Sequence, residues 1–262
     1  MDRVSEQDLA CRAHRNMVEA FASLPPHQPG GFVRRSGGVV VAATGSSIGL
    51  FNAVLPVEEK VTEQALVAAV EAVRTAGLVS FTQLREGVDD ALLPLVGDLG
   101  LEERPEASWP AMVLTDLPSA PAVPQGLQIR NSRGGGEFEH HFQASASVAG
   151  VDPALWATWL GKGLADDPAW TMVTGCVDGE PVARSMSYLT GDVVGVYNVG
   201  TVPAARRRGY GWAVTLAAIM SGKDAGATIA TLQSSAMALP MYRAHGFRTV
   251  FRYRAFCDRL AS

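Results

Sequence analysis

The chain has 262 residues, 47% of them hydrophobic, which suffices for a substantial core and, at this length, favours two domains of ordinary size. Lysine and arginine number 22 against 26 aspartates and glutamates, a net charge of -4. That balance excludes a general nucleic-acid binder, which needs a basic surplus to displace counterions from phosphates. Cys11, Cys176 and Cys257 are odd in number and lack CxxC spacing. They speak against a metal site and a full disulfide framework, and for reduced thiols. The residues from Met1 to Asp8 lack the basic-then-apolar order of a signal peptide, and no apolar run approaches roughly 18 residues. A cytoplasmic protein with no membrane partner is expected.

In chain order, residues 5 to 22 read as an amphipathic helix stopped by Leu24-Pro25-Pro26. Phe32 to Arg35, Gly38 to Thr44 and Ile48 to Val54 read as short strands separated by Ser36-Gly37 and by Gly45-Ser46-Ser47. A helical period follows over Val57 to Ala76, then a strand at Leu78 to Leu84, a short helix at Asp89 to Val96 and a strand over 107 to 115. From Leu117 to Gln125 the composition turns to Pro, Ser and Ala, as in an interdomain linker. Beyond it the pattern predicts a strand at Leu127 to Arg130 and helices at Glu137 to Val148 and Pro153 to Leu164. A hairpin is expected from Trp170 to Val177 and Pro181 to Leu189, turning at Asp178-Gly179. The last elements are a strand at Thr228 to Gln233, a helix at Ala236 to Ala244, a turn at His245-Gly246 and a strand at Phe247 to Phe256.

The stretch from Val193 to Met220 organises the second half. A β-branched and aromatic run breaks at Pro203 into Arg206-Arg207-Arg208-Gly209-Tyr210-Gly211-Trp212 and continues as an apolar helix. Backbone N–H groups at a helix start have no intrahelical partner and sit at the positive end of the helix dipole. The two glycines let a phosphate approach, and the arginines add charge beside it. A solvated charge run is the bland alternative.

The sequence also repeats itself. Gly45-Ser-Ser-Ile-Gly-Leu-Phe-Asn52 sets beside Gly191-Asp-Val-Val-Gly-Val-Tyr-Asn198 at an offset of 146 (191 minus 45), and the same offset carries Gly100-Leu101 onto Gly246-Phe247. Applied to the glycine turn, it places Lys60, Glu63 and Ala65 opposite Arg206, Gly209 and Gly211. The first half is therefore expected to keep the scaffold without the phosphate turn.

On these residues the C-terminal half resembles the GNAT superfamily of acyl-CoA-dependent N-acyltransferases. The family's Arg/Gln-x-x-Gly-x-Gly/Ala signature matches Arg206 to Gly211, and its second signature matches Ser235, Ala238, Tyr242 and Gly246-Phe247, over about residues 126 to 258. The tandem layout further resembles mycothiol synthase and related actinobacterial acetyltransferases. The resemblance implies an α/β (α+β) chain of tandem GNAT-like domains, each a mixed, mostly antiparallel twisted sheet flanked by helices. The implied limits are 1–116 for a degenerate domain, 117–125 for the linker and 126–262 for the acetyl-CoA-binding domain.

The resemblance also implies roles. Val199, Gly200 and Thr201 would pair with pantetheine as an added strand. Backbone groups from Arg207 through Arg208, Gly209, Tyr210 and Gly211 to Trp212 would hold the pyrophosphate beside Arg206. Ser235 would contact CoA, or simply cap a helix. Tyr242 would protonate the leaving thiolate, or serve as a core tyrosine. Where some relatives carry a glutamate base this chain has Gly195, and Tyr197, Asn198, His140, His141 or water remain as substitutes. His140 and His141 otherwise read as a solvated helix face, and Trp156, Trp159 and Trp170 as core or pocket wall. The implied reaction is acetyl transfer from acetyl-CoA to a primary amine of a small molecule by a monomer or homodimer. The alternatives are a non-catalytic acyl-CoA-binding sensor or interaction module and an acetyltransferase acting on a peptide or protein amine.

Overall fold

The computed structural model describes residues 5–58, 60–119, 123–132 and 138–259. Met1 to Val4, part of the expected linker and the expected helix start at Glu137 lie outside them. The chain forms two compact units. One comprises Met1–Met112 with Gln233–Met237 and Thr249–Ser262; the other comprises Val113–Leu232 with Ala238–Arg248.

In the first unit, Ser5 caps helix α1 (Glu6–Ser23) by accepting a hydrogen bond from Asp8 N at 3.1 Å. Its Leu9, Ala13, Met17 and Ala20 recur at helical spacing and are buried. Strands β1 (Phe32–Ser36) and β2 (Val39–Ala43) make a hairpin over Gly37 and Gly38, both at positive φ, the backbone a two-residue turn of this hand demands. Strand β3 (Asn52–Pro56) runs antiparallel to β2, and helix α2 (Glu63–Thr75) crosses over to β4 (Phe81–Arg85), parallel to β3. Helix α3 (Leu93–Asp98), β5 (Leu101–Glu103) and β6 (Pro110–Leu114) follow. The last strand of the chain, β12 (Arg248–Asp258), pairs antiparallel with β4 and β5, so the sheet of the first unit is completed from the far end of the sequence. Val41, Val54, Leu66, Val70, Leu84, Val96 and Phe256 share its core.

The second unit runs through β7 (Gln128–Ser132), α4 (Phe138–Ala149), a one-turn helix α5 (Pro153–Trp156), β8 (Trp170–Val177), β9 (Glu180–Thr190), β10 (Val193–Thr201), α6 (Tyr210–Asp224), β11 (Ile229–Gln233) and α7 (Leu239–Ala244). Strands β7 to β10 pair antiparallel in succession, and β11 is parallel to β10. Asp178 and Gly179 both take positive φ in the β8–β9 turn. Each unit is thus a mixed, mostly antiparallel sheet with helices, and both contain two antiparallel pairings followed by a helical crossover into a parallel strand.

Several boundaries differ from the sequence reading. The helix read over Val57 to Ala76 starts at Glu63, because Thr62 Oγ1 accepts the Ala65 N–H at 3.2 Å and fixes the first turn there. The strand read over Ile48 to Val54 becomes a 3-10 turn at Gly49–Phe51 and then β3. Asn52 holds that turn, donating to the carbonyls of Ser46 (2.7 Å) and Val79 (2.9 Å). The helix read over Pro153 to Leu164 stops at Trp156 and resumes as a 3-10 segment, Lys162–Asp166. Proline and the absence of a cap delay the last helix from Ala236 to Leu239.

The repeat offset holds at α3 and α7. Leu93-Pro94 matches Leu239-Pro240, and each helix is followed by a positive-φ glycine, Gly100 and Gly246. It does not hold in the strands. Asn52 opens β3 opposite Ala43, whereas Asn198 stands late in β10.

Candidate functional site

Strand β10 has different partners along its two edges. On the β11 side its register runs from Val193↔Ile229 to Val196↔Leu232. On the β9 side pairing continues to Gly200↔Arg184 and Thr201↔Ala183, with an irregularity between Tyr197 and Gly200 where Asn198 takes φ 53°. Val199, Gly200 and Thr201 therefore lie past the last β11 pair, at a strand end whose neighbour has stopped.

The chain then makes a 3-10 turn at Pro203–Ala205 and bends back. Arg206 Nε donates to the Thr201 carbonyl at 3.2 Å, tying the turn to the strand end. Arg207 (φ 65°) and Gly209 (φ 80°) are both left-handed, and for arginine that conformation costs about 1 kcal/mol. Gly209 is the N-cap of α6 and offers no side chain to its N–H groups; the first intrahelical bond is Ala213 N to Gly209 O, 3.0 Å. The N–H groups of Tyr210, Gly211 and Trp212 thus have no intrahelical acceptor. A Cβ on Gly211 would stand 3.3 Å from Thr201 Oγ1, so the glycine keeps the backbone close to the strand end. Arg206, Arg207 and Arg208 are exposed beside it, and Trp212 stacks on His245, centroids 3.7 Å apart and planes 4° from parallel.

A strand that outruns its parallel neighbour leaves backbone groups without a strand partner, and the helix start that follows, in an arginine-glycine turn, has N–H groups without an intrahelical acceptor. Residues 137–247, which contain both features, match the family model described as Acetyltransferase (GNAT) family. Over those residues the second half of the chain is similar to the GNAT family.

Solved structures extend the likeness to the whole chain. A GCN5-related N-acetyltransferase from Kribbella flavida superposes with a TM-score of 0.73 at 18% identity, covering 97% of this chain and 96% of its own. A tandem GNAT protein from the clavulanic acid biosynthesis pathway covers 99% of this chain and 98% of its own, with a TM-score of 0.60 at 13% identity. A GCN5-related N-acetyltransferase from Sphaerobacter thermophilus covers 84% and 76%, with a TM-score of 0.60 at 17% identity. At such identities the likeness is one of fold, the tandem GNAT arrangement. No curated relative matches the sequence.

In the second unit Tyr242 sits in α7, 3% exposed, its ring edge-on to Phe247 at 5.6 Å. Burial pushes its phenol up to about 12, partly offset by a hydrogen bond with Thr215 of α6. Ser235 is exposed in the segment Gln233–Met237, which groups with the first unit, and its carbonyl accepts from Ser234 Oγ at 2.9 Å. Gly195 is buried between Thr231 and Tyr188 and supplies no base.

The two histidines do not share a solvated face. His140 is exposed, 3.0 Å from Arg130 Nη1, whereas His141 is wholly buried against Thr174 Oγ1 at 3.3 Å. Burial, reinforced by Arg184, lowers the His141 pKa to about 3, so it is neutral and a weak base near neutral pH. Burial also pushes the Tyr197 phenol well above its usual range. Trp156, Trp159 and Trp170 are all buried.

The sequence reading missed Arg184. It stands on β9, 5% exposed, donating through Nη1 to Ser145 Oγ of α4 at 3.0 Å with its guanidinium 5.1 Å from the Trp156 ring. Asn198 Nδ2 reaches the same Ser145 Oγ at 2.8 Å. The available clue was a lone cation in the strand Pro181-Val-Ala-Arg-Ser-Met-Ser187. Among the described residues, no cluster of His, Cys, Asp or Glu is arranged to hold a metal ion, and no helix is long and apolar enough to cross a membrane.

Proposed function

We propose that the GNAT domain binds acetyl-CoA and transfers its acetyl group to the primary amine of a small molecule. The observation that carries this reading is the pairing of the open end of β10 with the uncapped N-terminus of α6, joined by the Arg206–Thr201 hydrogen bond. In this reading Val199, Gly200 and Thr201 bond the pantetheine amides. The N–H groups from Arg207 to Trp212 take the pyrophosphate, with the arginines neutralising its charge. The first domain, with the limits 1–116, acts as scaffold.

The amine must arrive as, or become, the free base, since an ammonium has no lone pair. Its nitrogen attacks the thioester carbonyl carbon, the C–S bond breaks, and the thiolate takes a proton that Tyr242 supplies. The nitrogen loses its own proton to water or to a group on the substrate, because Gly195 offers none. Calorimetric titration with acetyl-CoA, followed by thiol release across a panel of amines, tests the reading. One site and amine-dependent release are expected; absence of binding overturns it.

Two observations favour a second reading, a non-catalytic acyl-CoA sensor: Gly195 at the base position, and a Tyr242 hydroxyl engaged by Thr215. Binding without release for any amine, peptide N-termini included, would select it.

A further inference from the structure

The guanidinium of Arg184 is buried with no carboxylate beside it among the described residues. Its partners among the described residues are one hydroxyl, Ser145 Oγ, and one ring face, Trp156. His141, also buried there, offers no countercharge. Buried charge is costly unless paired, and a fold that keeps one unpaired gains when something else brings the opposite charge.

The open part of the group has a direction. Nη1 is occupied by Ser145, whereas Nε is buried with no acceptor among the described residues. A Cβ built on Gly200 would stand 3.5 Å from Nε and 3.6 Å from Nη2, so this edge of the fork faces the strand end assigned to the thioester arm. Two parallel N–H donors on one edge match a planar carboxylate. Val148 crowds the same spot, so glycine is the residue that fits at this point of the strand end.

We propose that Arg184 is a specificity residue that binds a carboxylate of one co-substrate, carried either by the acceptor amine or by the acyl chain. The proposal rests on the acyl-CoA reading for its chemistry, but its test does not depend on that reading.

The full chain is compared with Arg184→Gln and Arg184→Lys. Acetyl-CoA affinity is measured first and is expected to be equal in all three; loss of binding in the wild type counts against the function above and not against this inference. Two matched pairs are then compared by thiol release and by thermal shift: glycine, β-alanine and glutamate against their amides, and succinyl-CoA against acetyl-CoA with one common amine. The wild type is expected to prefer the carboxylate member of one pair by about 100-fold, the loss expected when one side of a buried charge pair is removed. The first pair would place the carboxylate on the acceptor, the second on the acyl chain. Arg184→Gln should erase the preference and Arg184→Lys restore part of it, without lowering the unfolding temperature of the ligand-free protein. Without turnover, the thermal shift from the amino acids against their amides still reads the arginine. Equal treatment of both members in both pairs, or a preference surviving in Arg184→Gln, overturns the proposal. So does a lower unfolding temperature with unchanged selectivity, which would assign Arg184 to the scaffold.

Discussion

Thr62 and Gly209 occupy the same topological place, the N-cap of the helix that follows the parallel-paired strand in each unit, and act there in opposite ways. Thr62 satisfies its own helix, accepting from Ala65 N at 3.2 Å, whereas Gly209 leaves the start of α6 uncapped. A helix start already satisfied by its own hydroxyl has little to offer a phosphate. We expect one acetyl-CoA per chain by calorimetry. Gly211→Glu should remove it, because a carboxylate in the first turn suits the helix dipole but repels a pyrophosphate. An unchanged affinity in that variant would move the phosphate site elsewhere.

Gly222 lies in α6 against Val194 of β10, where an added Cβ would collide with the valine side chain. Alanine gains about 1 kcal/mol in intrinsic helix propensity, but overpacking costs about 1–3 kcal/mol and should win. Gly222→Ala should lower stability in chemical denaturation, and adding Val194→Ala should recover part of the loss. A stabilised single variant would show that α6 moves away freely.

Tyr242→Phe separates the two functional readings. As general acid, Tyr242 should carry about 10²–10⁴-fold in kcat with acetyl-CoA affinity unchanged. As a core residue bonded to Thr215, its hydroxyl should carry only about 1 kcal/mol of stability. Full turnover in the variant would withdraw Tyr242 from the chemistry.

Acid should destabilise the fold through two buried histidines. His14, bonded to Tyr253 Oη and the Pro56 carbonyl, each at 2.8 Å, is held down to about 4 by burial and then by Arg85; His141 is held down to about 3 by burial and then by Arg184. The unfolded chain takes up these protons near pH 6.5 while the folded chain does not. Their contribution is therefore complete above about pH 6.5 and falls by about 1.4 kcal/mol per pH unit for each histidine, down to about pH 4 for His14 and pH 3 for His141. Denaturant unfolding across that range should show the slope, and His141→Gln should reduce it. An unchanged slope would mean that His141 is not buried neutral.

The sequence by itself determined what depends on local chemistry. Glycine and arginine at fixed spacing mark the turn from Arg206 to Gly211, Asp178-Gly179 marks the hairpin, and the duplicated element order marks the tandem layout. These are properties of a few adjacent residues, whose backbone freedom and charge are legible without a fold. Only the tertiary structure decided which strand ends are open, that β12 completes the first sheet, and that the octets ending at Asn52 and Asn198 stand at different points of their strands. It alone set Arg184, Ser145, Asn198 and His141 together. These residues come from one helix and two strands with a third beside them, and nothing in their spacing along the chain records that a charge has been buried with no carboxylate beside it among the described residues. Burial and pairing are sums over neighbours brought in from distant sequence, and the desolvation that gives Arg184 and His141 their character exists only once those neighbours have excluded water.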